Sequence, residues 1–328
     1  MEDTLKIPLV TSEIAGLRNS YMGESMAVCV LKYFLNRVDD SETQAILQST
    51  LKLSNKHIQL LVIILNQAKL PIPEGFTDKD VNINAPRLYN DEFYLFYLSF
   101  MSRTKMIRYA QILSNCARTD IRDYFTNLMV EASDLYNYAI DIRLSKGVFT
   151  RFPQVEVSKK IEYIKSINPL MDWFGEKRSL FVDEITQVSV AIIANTVGSA
   201  LTTGFGQVCM TNEISKYMFK GRDMFSKKID LLSSLLTSEN IPIPSTSYSS
   251  VTDSKVPPFS EKLMMFHVLT LGSISIVNDG IAMAETLRTD LSNNYMKFLT
   301  EDIKYSKDGG NIMIEKGWFE KPPQAINH

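Results

Sequence analysis

Residues 70–89 read LPIPEGFTDKDVNINAPRLY, and residues 241–259 read IPIPSTSYSSVTDSKVPPF. The first stretch carries Pro71, Pro73 and Pro86, the second Pro242, Pro244, Pro257 and Pro258, so neither can be helical throughout. On both sides of each stretch the sequence is long, helix-friendly and nearly free of proline. A connection of about 20 residues, at ~3.3 Å per extended residue, can run the full length of a bundle some 40 Å long.

The two stretches belong to an internal repeat. A shift of 171 positions places Glu13-Ile14 on Glu184-Ile185, Phe34 on Phe205, Glu42 on Glu213 and Lys56-His57 on Lys227-Lys228. The same shift sets Pro71-Ile72-Pro73 on Pro242-Ile243-Pro244 and Pro86 on Pro257. One deletion near Leu88 changes the shift to 170, after which Arg118-Thr119-Asp120 meets Arg288-Thr289-Asp290, Glu131 meets Glu301 and Lys146-Gly147 meets Lys316-Gly317. Register held across a whole domain with a single gap is the signature of duplication.

Each copy reads as four helices. The first helix spans Thr11 to Val38 and breaks at Asp39-Asp40-Ser41, where Ser41 and Gln44 make a capping box for a second helix running to about Lys69. A third helix runs from near Asn90 to about Ala117; Thr119-Asp120 caps a fourth, which stops at Gly147. Very short turns join helices one and two, and three and four, while the long stretch joins two to three. The expected fold is all-α: two tandem four-helix bundles, each ferritin-like with a long crossover between helices two and three. The domains expected are 1–153 and 179–328, joined by a short helical linker at 154–178.

Composition narrows the function classes. The chain has 328 residues, 45% hydrophobic and 10% aromatic, with a net charge of −2 and no basic block, so the electrostatic footprint of a nucleic-acid binder is missing. No stretch approaches the ~18 uninterrupted apolar residues of a membrane span, and the acidic start MEDTLKIPLVTSE is unlike a signal peptide; the expectation is a cytoplasmic protein. Cys29, Cys116 and Cys209 are isolated and read as buried thiols in a reducing compartment.

Polar residues interrupt three expected core stripes. In helix one the stripe is Ile14, Leu17, Tyr21, Glu24, Val28, Leu31, Leu35, Val38; in helix two Ile46, Thr50, Leu53, His57, Leu60, Ile64; in helix four Ile121, Tyr124, Leu128, Glu131, Leu135, Tyr138, Ile142. Helix three opens with Phe93, Phe96 and Phe100, and no polar core position is read there. Glu24 lies about 15 residues before the first turn and His57 about 17 after it, so at ~1.5 Å per residue they share a level within roughly 3 Å. Glu131 falls near that level if helix three runs parallel to helix two. In the second copy these positions are Asn195, Lys228 and Glu301, where a lysine can neutralise the one remaining carboxylate. The first copy lacks such a fixed charge, which leaves two readings open: a hydrogen-bonded Glu–His cluster, or one divalent Zn, Mn or Fe ion held by Glu24, His57 and Glu131. His267 reads as a satisfied core histidine, and Asp134 as a solvated or ion-paired residue. The fifteen methionines suit cores. No GxGxxG, P-loop, HExxH or GxSxG occurs.

The segments 76–101 (FTDKDVNINAPRLYNDEFYLFYLSFM), 254–268 (SKVPPFSEKLMMFHV) and 310–325 (GNIMIEKGWFEKPPQA) resemble the Bacillus-type family labelled domain of unknown function 3231, compared with spore-coat protein F-like chains. The resemblance implies ferritin-like bundles and a sporulation context, with no established activity. The wider di-iron pattern of a Glu-x-x-His pair is not met: Ser54 stands three residues before His57, Asp134 three after Glu131 and Lys304 three after Glu301. The favoured expectation is therefore a non-enzymatic protein that works through structure or by binding a protein partner. The alternatives are a mononuclear metalloprotein and a binder of an apolar small molecule between Phe93, Phe96 and Phe100.

Overall fold

The computed structural model describes residues 7–163, 178–244 and 250–325. Among them are eight α-helices and no strand: α1 (Thr11–Leu35), α2 (Ser41–Gln67), α3 (Asp91–Leu113), α4 (Thr119–Ser145), α5 (Val182–Val208), α6 (Asn212–Ser238), α7 (Glu261–Glu285) and α8 (Thr289–Glu315). They form two four-helix bundles, α1–α4 and α5–α8, with the proline-rich crossovers between the second and third helix of each.

Local chemistry sets the helix ends. Asp40, rather than Ser41, caps α2: its Oδ1 accepts from Thr43 N at 2.8 Å. Asn90 caps α3 through Phe93 N at 2.9 Å. The start of α4 differs from the sequence expectation. Thr119 and Asp120 already lie inside the helix, and the N-cap is Arg118, whose guanidinium grips Asp120 with two bonds of 3.0 and 2.7 Å. α4 ends where Gly147 takes φ +69° and lets Val148 N reach back to Arg143 O; Gly317 and Trp318 N on Met313 O close α8 in the same way.

A buried glutamate stitches each bundle together at the start of its first helix. Glu13, fully buried, accepts from Val10 N through Oε2 and from Ala117 N and Arg118 N through Oε1, at 2.7–2.8 Å. It thereby serves the open amides at the starts of both α1 and α4. Glu184 repeats this with Phe181 N, Leu287 N and Arg288 N, and adds the Arg178 guanidinium at 2.7 and 2.8 Å. The Glu13, Arg118 and Asp120 identities between the copies are thus explained by the turn that joins third and fourth helices.

The compact units do not follow the repeat boundaries. One comprises 1–149 together with 250–264 and 313–328; the other comprises 150–249 and 265–312. Inside the first unit the two crossovers pair antiparallel, with bridges Val81–Phe259 and Tyr89–Val251. Asn82 N donates to Pro258 O and Ser260 N to Asp80 O; Thr252 N donates to Leu88 O and Asn90 N to Ser250 O. The second two bonds are the first two with every residue moved by 170 to its counterpart. The one-residue deletion therefore falls before Asp80, not near Leu88, and Pro86 corresponds to Val256 rather than Pro257.

In the second unit, α6 and α8 meet through a reciprocal clasp. The Tyr217 and Tyr305 rings stack 4.3 Å apart and within 1° of parallel, each hydroxyl donating to the other's backbone carbonyl at 3.1 Å. Each phenol lies over a glycine of the facing helix, Tyr217 over Gly309 and Tyr305 over Gly221, where a Cβ would overlap it.

Of the expected linker, 154–163 contain no helix, and 164–177 lie outside the described residues. Two helices, α5 and α7, are long and apolar enough to cross a membrane by length and composition, but 72% of the most apolar window of α5 and 50% of that of α7 are buried in the protein. Cys29 is buried and Cys116 and Cys209 are half-buried. Phe93, Phe96 and Phe100 are buried side chains at the aromatic end of the first bundle, where Phe93 stacks on Tyr89 at 4.4 Å and Phe34 on Tyr94 at 4.0 Å.

Candidate functional site

Most predicted stripe positions face the core, but at the level of the site α4 is turned by one residue, and that local difference decides the site. On α2 the buried positions are Thr43, Ile46, Leu47, Thr50, Ser54, His57, Leu61 and Leu65, so Ile46, Thr50 and His57 of the predicted stripe face the core while Leu60 is exposed. On α4 the buried residue is Ala132, while Glu131 stands beside it on the shoulder of the bundle, its side chain 22% exposed. On α1 Glu24 is fully buried, as its stripe predicts.

The three residues do meet. His57 Nε2 lies 2.5 Å from Glu131 Oε2, and His57 Nδ1 lies 3.6 Å from Glu24 Oε1. The fixed positive charge that the sequence reading found lacking comes from α3. Lys105 Nζ donates to Glu24 Oε1 at 2.6 Å, and one turn later Tyr109 Oη donates to the same oxygen at 2.7 Å. At the rim, Lys56 Nζ donates to Glu131 Oε1 at 2.7 Å. Two carboxylates thus face two ammonium groups across one imidazole. Neither α3 residue was legible, because the aromatic start of that helix masks its register and a lysine normally signals the solvent face.

Burial opposes the charge on Glu24, but the Lys105 ammonium and the nearby imidazole outweigh it and hold the carboxyl well below the usual range. Glu131 is likewise opposed by desolvation and lowered by Lys56 and His57. Burial and the Glu24 charge push the Tyr109 phenol far up, so it remains a donor.

The set fits a single metal ion poorly. The two glutamates flank opposite nitrogens of the imidazole, so an ion on either nitrogen faces only one of them. Among the described residues no group of three or more His, Cys, Asp and Glu side chains converges as metal ligands. Two buried atoms, Glu24 Oε2 and His57 Nδ1, have no hydrogen-bond partner, and the neighbouring Ser54 Oγ is also unpartnered.

The second bundle holds a different cluster at the same level. Lys228, in the place of His57, is fully buried, and its Nζ donates to Asp302 Oδ1 at 2.6 Å and contacts Asp279 Oδ2 at 3.3 Å and Ser275 Oγ at 3.4 Å. The expected partner, Glu301, is instead on the shoulder, 3.9 Å from Lys227. The correction has one cause. Asp302 occupies the inward position of Ala132, and Glu301 the rim position of Glu131. The 170-residue shift also sets Ser275 on Lys105 and Asp279 on Tyr109. The ammonium has therefore moved from the third helix to the second, and the acids from the first and fourth to the third and fourth.

Fold and site together define a tandem helical-bundle protein with a lysine-paired carboxylate cluster in each core. The chain belongs to the family described as protein of unknown function (DUF3231), which it matches twice, over residues 2–161 and 169–328. No similar sequence was found among the curated proteins. Among solved structures it is similar to a candidate spore coat protein of Bacillus halodurans C-125, at 14% identity and a TM-score of 0.43, over 47% of this chain and 99% of that one.

Proposed function

We propose that the protein is non-enzymatic and acts through its structure or by binding a partner, with the two core clusters serving to fix helix register. The carrying observation is that each cluster is held from within by a lysine of the same bundle: Lys105 sits on Glu24, and Lys228 on Asp302. A reacting carboxylate or imidazole needs a substrate-accessible face, whereas Glu24 and His57 are 0% and 5% exposed. Polar groups buried at one level also penalise any axial slip of one helix past another, because a slip leaves them unpaired. The test is to replace the Glu24, Lys105 and Tyr109 set by Gln, Met and Phe. The fold should survive with a less unique core, seen as broadened side-chain NMR signals; unchanged spectra would remove the register role. A sporulation context rests on the resemblance to spore-coat protein F-like chains, and protein abundance through growth and sporulation tests it.

The second reading is one divalent ion in the first bundle. What favours it is the unpartnered pair Glu24 Oε2 and His57 Nδ1. It requires Glu131 to leave the far side of the ring and Lys105 to release Glu24. Metal analysis of the purified chain beside Glu24→Gln and His57→Ala separates the readings: stoichiometric metal lost in both variants establishes the site, and its absence in the parent removes it.

A further inference from the structure

We propose that the core of the second bundle is a proton-binding site, in which Asp279 and Asp302 share one proton beside Lys228, so that this bundle is tightest in mildly acidic solution and loosens as the proton leaves. The geometry carries the inference through charge counting. The side chains of Lys228, Asp279 and Asp302 are 1%, 2% and 0% exposed, and one ammonium faces two carboxyls. With both acids ionised the cluster would hold a net negative charge out of contact with water.

The surroundings supply no second cation among the described residues. Among the described residues α5 contributes Asn195, whose amide donates to Ala191 O, and Glu184, whose charge reaches Tyr295. α6 contributes Lys228 alone, since Lys227 lies on the rim with Glu301. α7 adds Ser275, and α8 adds Tyr295, Tyr305 and the ring of Phe298, 5.1 Å from Lys228 Nζ. The first bundle makes the contrast, with two lysines for its two glutamates.

Asp279 is the proton carrier. Lys228 holds Asp302 at 2.6 Å but Asp279 at only 3.3 Å, so Asp302 keeps the stronger claim on the ammonium. Asp302 Oδ2 has no partner and is free to accept from the protonated Asp279 carboxyl. Burial raises the affinity of Asp279 for its proton and Asp302 adds to this, while Lys228 opposes it. A group with a raised folded-state value stabilises below its unfolded value and loses that stabilisation as pH rises through the folded one. When the proton goes to solvent, the cluster is left with one uncompensated negative charge.

The experiment is thermal unfolding of the full chain between ~pH 5 and ~pH 8.5, for the parent, Asp279→Asn and the rim control Glu301→Gln. The parent and Glu301→Gln should lose several degrees of melting temperature as pH rises, and Asp279→Asn should lose this component. An unchanged pH dependence in Asp279→Asn overturns the proposal. Should Asp279→Asn fail to fold, infrared spectra of the parent decide: a protonated-carboxyl C=O band that persists near neutral pH and disappears in alkali supports the site, and no such band overturns it.

Discussion

Replacing Lys105 by Met tests most directly how the first bundle tolerates a buried glutamate. The substitution keeps the length of the side chain and removes the ammonium 2.6 Å from Glu24 Oε1. Breaking a buried pair on one side costs ~3–5 kcal/mol. The low end, about 3 kcal/mol, applies because Lys105 is 23% exposed and Tyr109 still donates to Glu24. The pH dependence distinguishes electrostatics from packing. In the parent the Glu24 carboxyl is held low, so its stabilisation is present above the ordinary carboxylate range and is lost only as the solution becomes strongly acidic. Without Lys105, burial dominates and the folded-state value rises above the unfolded one. Stability of the variant should then increase as pH falls from ~7.5 to ~5, by ~1.4 kcal/mol per pH unit over the interval between the two values. Urea unfolding followed by circular dichroism at both pH values gives the measurement. Adding Glu24→Gln should restore most of the loss, since a neutral amide needs no counter-ion. An equal loss at both pH values, or no recovery in the double variant, would refute the electrostatic account.

Three further outcomes follow from the packing. Gly309→Ala should destabilise by ~1–2 kcal/mol, because the overlap with Tyr217 exceeds the ~1 kcal/mol gained in helix propensity; Gly310→Ala, with nothing within 4 Å, should stabilise in the same melting assay. Glu13→Ala strips the acceptor from Val10 N, Ala117 N and Arg118 N. It should cost about 3 kcal/mol or more, with faster hydrogen exchange at the Ala117 and Arg118 amides. Lys228→Met should cost ~3–5 kcal/mol at neutral pH and Lys227→Met, on the exposed rim, within ~0.5 kcal/mol of nothing; comparing their urea midpoints checks both.

Much of the architecture was legible because it depends on short-range rules. Two proline-rich stretches about 20 residues long exclude helix whatever surrounds them, and short turns force antiparallel neighbours. The level of Glu24 and His57 followed from counting residues back to a common turn, and the structure places their facing atoms 3.6 Å apart. The capping assignments fared less well. Ser41 and Thr119 both sit one residue inside the helix, because Asp40 and the Arg118–Asp120 pair compete for the boundary, and sequence alone does not rank such neighbours.

What the sequence by itself determined is the duplicated bundle and the level at which each core carries charge. What only the tertiary structure decided is which polar side chain at that level points inward. Neighbouring residues on a helix differ by about 100°, and a bundle stripe drifts ~20° per heptad against an ideal helix. The sequence reading places Glu301 inward, whereas the packing of α8 turns its neighbour Asp302 onto Lys228 and leaves Glu301 on the rim. Likewise no periodicity on α3 marked Lys105 as a core cation. Its long stem lets the ammonium reach Glu24 from the edge of the bundle, and only the position of α1 beside α3 shows that it does.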